Sequence, residues 1–549
     1  MVSHEQRIRI SPRIVGAVFT LAVVAAPAFA QQGGKKFYPD DPLLREPPPR
    51  PVASAAKQDV DDMYDFLENS FVTPRKEGKA GREPHPALDI NTIGEVPDSA
   101  WYTSRHYYHR LSIEELKRGP GNSTPPNPQG TWRVTSAKSD GVTPGFVIED
   151  GKKNKYLLKF DPPDHPEVAS AVDVIGSKVF YALGYYAPEN YIVHFRQEQL
   201  EIPTGVMWRD GSGKKHPLTE GVIDAMLKNQ PKRTDGSYRV IASRWIAGQV
   251  LGPFRYEGTR TDDPNDIVAH EDRRELRGLE VFAAWLNHTD TKSINTIDSL
   301  VTENGVQYIK HHLLDFGSIM GSGGTGMKQP WFGHEYVLEY KEAPAQILTL
   351  GFHPPRWARS DYPKLTGAGL FDYQSFDPME WKPDYPNPAF MRMDDQDAFW
   401  AAKQVAAFTD GDIRALVETG EYSDPRTTDW ITKCLIERRD KIAQAWFSRV
   451  LALDKFRVVD GSLTFEDLSA RSELAKGREY PVRWASWDRN GRVTLLADAG
   501  GPRVPAFRDD TQYLAASISC TEAEARCKNP VTVYLRRGQS GPLVVGVDR

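Results

Sequence analysis

The stretch that most limits what this chain can fold into runs from His288 to Gly317, HTDTKSINTIDSLVTENGVQYIKHHLLDFG. Asp290 and Asn295 stand five apart on one loop. Two strand-like runs follow, INTIDSLV and VQYIKHHLL, joined about Thr302-Glu303-Asn304-Gly305. A hairpin returns its far end to where it started, so Asp315 is carried back beside the loop. Phosphoryl transfer asks for a carboxylate near the attacking hydroxyl and for oxygen ligands that hold magnesium on the phosphates. Asp290 fits the base, Asn295 and Asp315 fit the metal ligands, and Lys292 is placed to contact a transferring phosphate.

Upstream, the pattern from Thr131 is that of strands with one inserted helix. TWRVTSAK reads as a strand, SDGVTPG as a loop, and FVIEDGKKNKYLLKF as a hairpin about Asp-Gly. An amphipathic helix opens at Pro166 and closes at Gly184, and YIVHF and YRVIASRWIAG are further strands. A mostly helical half follows, through EDRRELRGLEVFAAWLNH, DQDAFWAAKQVAAF and TTDWITKCLIERRDKIAQAWFSRVLAL. The order implies a two-lobed α+β architecture. Lys159 ends YLLKF with apolar residues on both sides. It suits either a phosphate-binding lysine or a strand-end lysine that snorkels to solvent. Gly141 and Gly145, in the loop between the first two strands, permit close backbone approach to phosphates, and a plain hairpin turn fits them equally.

HTDTKSIN resembles the catalytic-loop pattern H-R-D-x-K-x-x-N of the protein-kinase-like family, with Thr289 in place of Arg, and LLDFG resembles its D-F-G magnesium motif. The style is closest to the HipA, spore-coat CotH and secreted casein-kinase group. The resemblance covers 131–455 and implies ATP with Mg²⁺ or Mn²⁺. Lys159 then holds the α/β-phosphates and a helix acid orients it. Counting back from Leu183-Gly184, as in that group, selects Asp173 over Glu167. Asp290 then accepts the substrate proton while Asn295 and Asp315 bind metal. The segment Ser243–Gly248 is the expected hinge. Thr289 removes the arginine that would bind an activation-loop phosphate, so that form of regulation is not expected.

The remaining segments divide as 1–30, 31–56, 57–130 and 456–549, around a first lobe at 131–255 and a helical lobe at 256–455. Arg7, Arg9 and Arg13 precede an apolar run ending at Ala28-Phe29-Ala30, the pattern of a secretory signal cleaved after Ala30. A periplasmic or secreted location without a stable membrane span follows. Residues 31–56 are Pro-rich and read as a mobile tether. Residues 57–130 are an extension whose aromatic cluster, AWYTSRHYYHR, is expected to pack on the next domain. The last 90 or so residues alternate short strands and turns, as in a β-sandwich-like module. Cys520 and Cys527 are close enough in sequence to bridge there, and Cys434 reads as a small buried hydrophobe. Asp262, Asp263, Asp266, His270 and Glu271 form an acidic cluster that reads as a solvated approach to the next helix, with a metal loop as the alternative.

With 69 basic and 74 acidic residues the formal charge is −5, which gives no electrostatic reason to expect nucleic acid. The expected reaction is transfer of the ATP γ-phosphoryl group to a hydroxyl of a protein or cell-envelope glycan. Two rivals share the motifs: a catalytically idle binding module, favoured by the scarcity of ATP outside the inner membrane, and transfer of AMP.

Overall fold

The computed structural model describes residues 36–80, 85–122, 124–137, 145–209, 214–338, 355–472, 478–488, 492–521, 527 and 529–549. The expected leader at 1–30 and Gly141 lie outside the described residues. Among those described, no helix is long and apolar enough to cross a membrane.

The first lobe is built on a six-stranded sheet. Its strands are β1 (Trp132–Ala137), β2 (Gly145–Glu149), β3 (Lys155–Phe160), β4 (Asn190–Phe195), β5 (Leu200–Glu201) and β6 (Tyr238–Arg244), in the order β4-β6-β3-β2-β1-β5. All neighbours are antiparallel except β1 and β5. Strand alternation decides which way each side chain faces. Tyr156, Leu158 and Phe160 enter a core covered by Ile223 and Leu227 of a short helix. Leu157 and Lys159 therefore lie on the opposite face. There the helix α1 (Val168–Ala182) packs, buried at every position except Lys178 and Tyr181. A helix buried on nearly all sides belongs between two layers, and this one lies between the sheet and the helical lobe. Its first turn is capped by Asp161, which accepts from the backbone N–H of Ala169 and Ser170 at 2.9 and 2.7 Å.

After β6 the chain crosses at Ser243–Gly248. The strand β7 (Gln249–Gly252) already pairs with the second lobe, in a sheet with β8 (Thr296–Glu303) and β9 (Val306–Leu313). The crossing is thus complete a few residues before 255. The β8–β9 hairpin turns on Asn304-Gly305, both with positive φ (51° and 79°), as a tight two-residue loop requires. Helices α2 (Arg274–Leu286), α3 (Asp395–Val405), α4 (Asp410–Glu418) and α5 (Pro425–Phe447) complete this lobe around one core that also takes in Val172, Ile175 and Phe180 of α1. Cys434 is free and buried in it. The two lobes form a mixed α+β fold, as the order of elements implies.

The extension is part of this core rather than an appendage to it. Trp101 and Tyr102 are buried in it, and Trp101 stacks on His311. Residues 36–56, expected as a mobile tether, are laid along the fold. Phe37 and Val52 are buried, Val52 N–H donates to Gln307 at 2.8 Å, and Glu46 N–H donates to Asp98 at 2.9 Å. Proline removes donors without preventing burial, so a Pro-rich composition did not reveal these strap contacts.

The C-terminal module is a five-stranded antiparallel sheet, Val482–Asp488 to Gly541–Asp548, with the hairpin Leu453–Val459/Ser462–Asp467 over one face. Leu453, Leu463, Trp484 and Val533 fill the space between them, and Phe37 packs on the other face with Trp487, Tyr513 and Tyr534. Cys520 and Cys527 are disulfide-bonded, with Cα atoms 5.4 Å apart. Arg549 donates to the carbonyl of Leu453 at 2.6 Å and pairs with Asp454 at 3.2 Å; Asp454 in turn holds Lys403 of α3 at 2.8 Å.

Candidate active site

Lys159 stands between two carboxylates. Its Nζ is 2.5 Å from Asp173 Oδ2 on α1 and 2.9 Å from Asp315 Oδ1 beyond the hairpin. Burial alone would lower this lysine, but the facing charges of Asp173 and Asp315 outweigh it and hold the ammonium above its ordinary range. Asp173 is itself over-determined. It accepts from Asn190 Nδ2 at 2.9 Å and from Phe316 N–H at 3.2 Å, so one side chain ties β3, β4, α1 and the D-F-G segment. Glu167 does something else: it sits at the helix start with φ 70° and accepts from Ser423 N–H at 2.9 Å.

The D-F-G segment is locked by close packing. Asp315 has φ 57°, an uncommon value for a non-glycine residue, maintained by its surroundings. Phe316 stacks on Phe180 at 4.8 Å and meets the edge of His288. A Cβ at Gly176 would fall 2.5 Å from that of Phe316, so the helix must carry glycine where the phenylalanine docks. His288 is enclosed by these rings. Burial, aided by Lys328, pushes its pKa down to about 4, although Asp290 acts in the opposite direction.

On the loop, Asp290 Oδ1 lies 2.8 Å from Lys292 Nζ, and Ser318 Oγ reaches Asp290 Oδ2 at 3.4 Å. Burial would raise Asp290, but Lys328 and Lys292 outweigh it and hold the carboxyl well below the usual carboxylate range. It therefore stays ionised and able to accept a hydrogen bond from a hydroxyl. Lys292 is also held by Asp384 at 3.2 Å. Asn295 Nδ2 donates to the Asp290 carbonyl at 2.8 Å, which fixes the loop's curvature and leaves its amide oxygen as the donor suited to a metal. Thr289, at the position of the missing arginine, accepts from Lys328 Nζ at 2.7 Å.

Gly145 lies opposite Lys159 in the sheet, where a Cβ would come 2.2 Å from the Leu158 carbonyl. Its lack of a side chain is thus demanded by strand pairing. The acidic cluster at 262–271 is not solvated: Asp263, Asp266, His270 and Glu271 are buried. Burial would raise Asp266, but hydrogen bonding from His270 and Arg260, with Arg273 nearby, outweighs it and draws it down to about 2. The arginines arrive from both flanks, turning a run of acids into an internal ion network.

Sequence reasoning missed Asn190, Lys328, Ser318 and Asp384. None belongs to a motif, and each meets its partner only through the fold. Asn190 and Lys328, for instance, lie 17 and 39 residues from theirs.

No protein-family model matches this chain, and no curated protein matches it. Solved structures similar to it include the following two. A Golgi casein kinase covers 73% of this chain and 96% of its own, at 10% identity and a TM-score of 0.27. The Golgi casein kinase with Mn/ADP bound covers 73% of this chain and 94% of its own, at 12% identity and a TM-score of 0.24.

Proposed function

We propose that this chain is an exported atypical kinase that transfers the γ-phosphoryl group of ATP to a hydroxyl of a protein or cell-envelope glycan. The observation that carries the reading is Lys159 held at once by Asp173 and Asp315, with Asp290 and Asn295 on the adjoining loop. Lys159 binds the α/β-phosphates and Asp173 fixes its direction. Asp315, whose carboxylate is half exposed, and the amide oxygen of Asn295 are hard oxygen donors that suit Mg²⁺ or Mn²⁺. The metal, when bound, neutralises charge on the phosphates. Asp290 orients the acceptor hydroxyl and takes its proton. Lys292, anchored by Asp290 and Asp384, contacts the transferring phosphate. Export is read from the basic, apolar, Ala28-Phe29-Ala30 start.

The test is nucleotide binding by the mature protein with and without Mn²⁺, followed by the mass added to an acceptor. Metal-dependent ATP binding with phosphoryl addition supports the reading. Addition of an adenylyl group replaces it with AMP transfer. Binding without any product, on the protein itself or on envelope extract, replaces it with a binding module.

A further inference from the structure

Beside Lys292 a cleft of about 510 Å³ opens between the catalytic-type loop and a short helix of the N-terminal extension, Asp62–Leu67. The helix is fastened to the site. Its Asp65 accepts from Tyr385 OH at 2.9 Å and from Ser293 Oγ at 3.4 Å, and Phe66 meets the Tyr385 ring edge-on. Asp61, Asp62 and Asp384 line the cleft, and Lys292 is the one basic group among the described residues that do. Lys292 is already engaged by Asp290 and Asp384, and Asp61 and Asp62 line the opening with no ion pair among the described residues. Asp384 is more than nine-tenths buried, and while its Oδ2 pairs with Lys292, its Oδ1 has no hydrogen-bond partner among the described residues. Buried polar atoms are normally satisfied, so this oxygen marks a place for a donor. The remaining lining is apolar, from Met63, Phe66 and Val337.

Resting on the kinase reading above, we propose that this cleft is the acceptor subsite, that it takes a Ser or Thr hydroxyl within a basic peptide segment, and that the extension helix selects it. Arg and Lys side chains match the lining, with an apolar stem for Met63, Phe66 and Val337 and a cationic head for the carboxylates. In the transfer, the hydroxyl oxygen forms a bond to the γ-phosphorus while the bond from that phosphorus to the β,γ-bridging oxygen breaks. The hydroxyl proton passes to Asp290 and ADP leaves.

The experiment measures binding of labelled decapeptides to the full mature chain by fluorescence anisotropy, with Mn-ADP present. The peptides carry a central serine flanked by arginines or by glutamates. The expected result is at least about tenfold tighter binding of the basic peptide, weakening as salt is raised. Asp61→Asn with Asp62→Asn is expected to weaken it about five- to tenfold, while affinity for Mn-ADP stays as in wild type. Asparagine caps a helix as well as aspartate, so the pair removes charge without removing the cap. Equal binding of the two peptides, or preference for the acidic one, overturns the proposal. Because binding is read apart from transfer, a basic peptide that binds and responds to the double substitution but is never phosphorylated upholds the subsite and rejects the kinase reading.

Discussion

Lys159 and Asp173 meet at 2.5 Å across the interface of β3 and α1, with the carboxylate all but fully buried. A buried pair of this kind loses most when one member is removed, because the other charge is left uncompensated. Lys159→Met should therefore destabilise the protein by about 3 kcal/mol and weaken nucleotide binding. Adding Asp173→Leu should restore most of the stability and none of the binding. Denaturant melts and calorimetry on the two variants separate the effects; recovery of nucleotide affinity in the double variant would remove the pair from the site.

Asp315→Ala should abolish the metal-dependent part of ATP affinity, since the carboxylate that shares a counter-charge with the phosphates is gone. Calorimetry with and without Mn²⁺ measures it, alongside circular dichroism to show an intact fold. An unchanged metal dependence would assign Asp315 a purely structural part.

What the sequence made legible follows the range of the interactions. The loop, hairpin and Asp315 are neighbours along the chain, so period-two strands and one Asn-Gly turn were enough to bring them together. Choosing Asp173 over Glu167 needed the resemblance, because both belong to the same helix and its cap and local pattern does not tell which faces β3. The Pro-rich strap and the buried 262–271 network were misread for a shared reason. Their partners, such as Gln307 for Val52 and Arg273 for Asp266, arrive from other elements. Composition near a residue reports its solvation only when no distant group comes to meet it.

His288 gives a pH signature. Its folded pKa, about 4, is depressed below the ordinary histidine value by burial, so the folded state holds it neutral while the unfolded chain takes up a proton below about pH 6.5. The stability it contributes is present above that value and is lost as pH falls toward 4. Between pH 6.5 and 4.5 the wild type should lose roughly 1–3 kcal/mol more than His288→Gln. Parallel slopes of melting temperature against pH would contradict this.

The Cys520–Cys527 bridge closes a short loop in the C-terminal module, far along the chain from Lys159. Loop-entropy reasoning gives it about 2.5 kcal/mol. Cys520→Ser with Cys527→Ser should lower the thermal stability of that module while leaving ATP affinity unchanged. A matching fall in nucleotide affinity would show that the module and the two lobes unfold as one unit.

The central claim is that Asp290 acts on the acceptor hydroxyl, and one measurement addresses it directly: phosphoryl transfer from γ-labelled ATP with Mn²⁺ by wild type and Asp290→Asn, each with its ATP affinity determined. Asparagine keeps the shape and the contact with the loop but cannot take the proton. The expected result is near wild-type ATP binding with transfer at least about 100-fold slower. Transfer by Asp290→Asn at the wild-type rate would contradict the claim, and the assignment of the loop would fall with it.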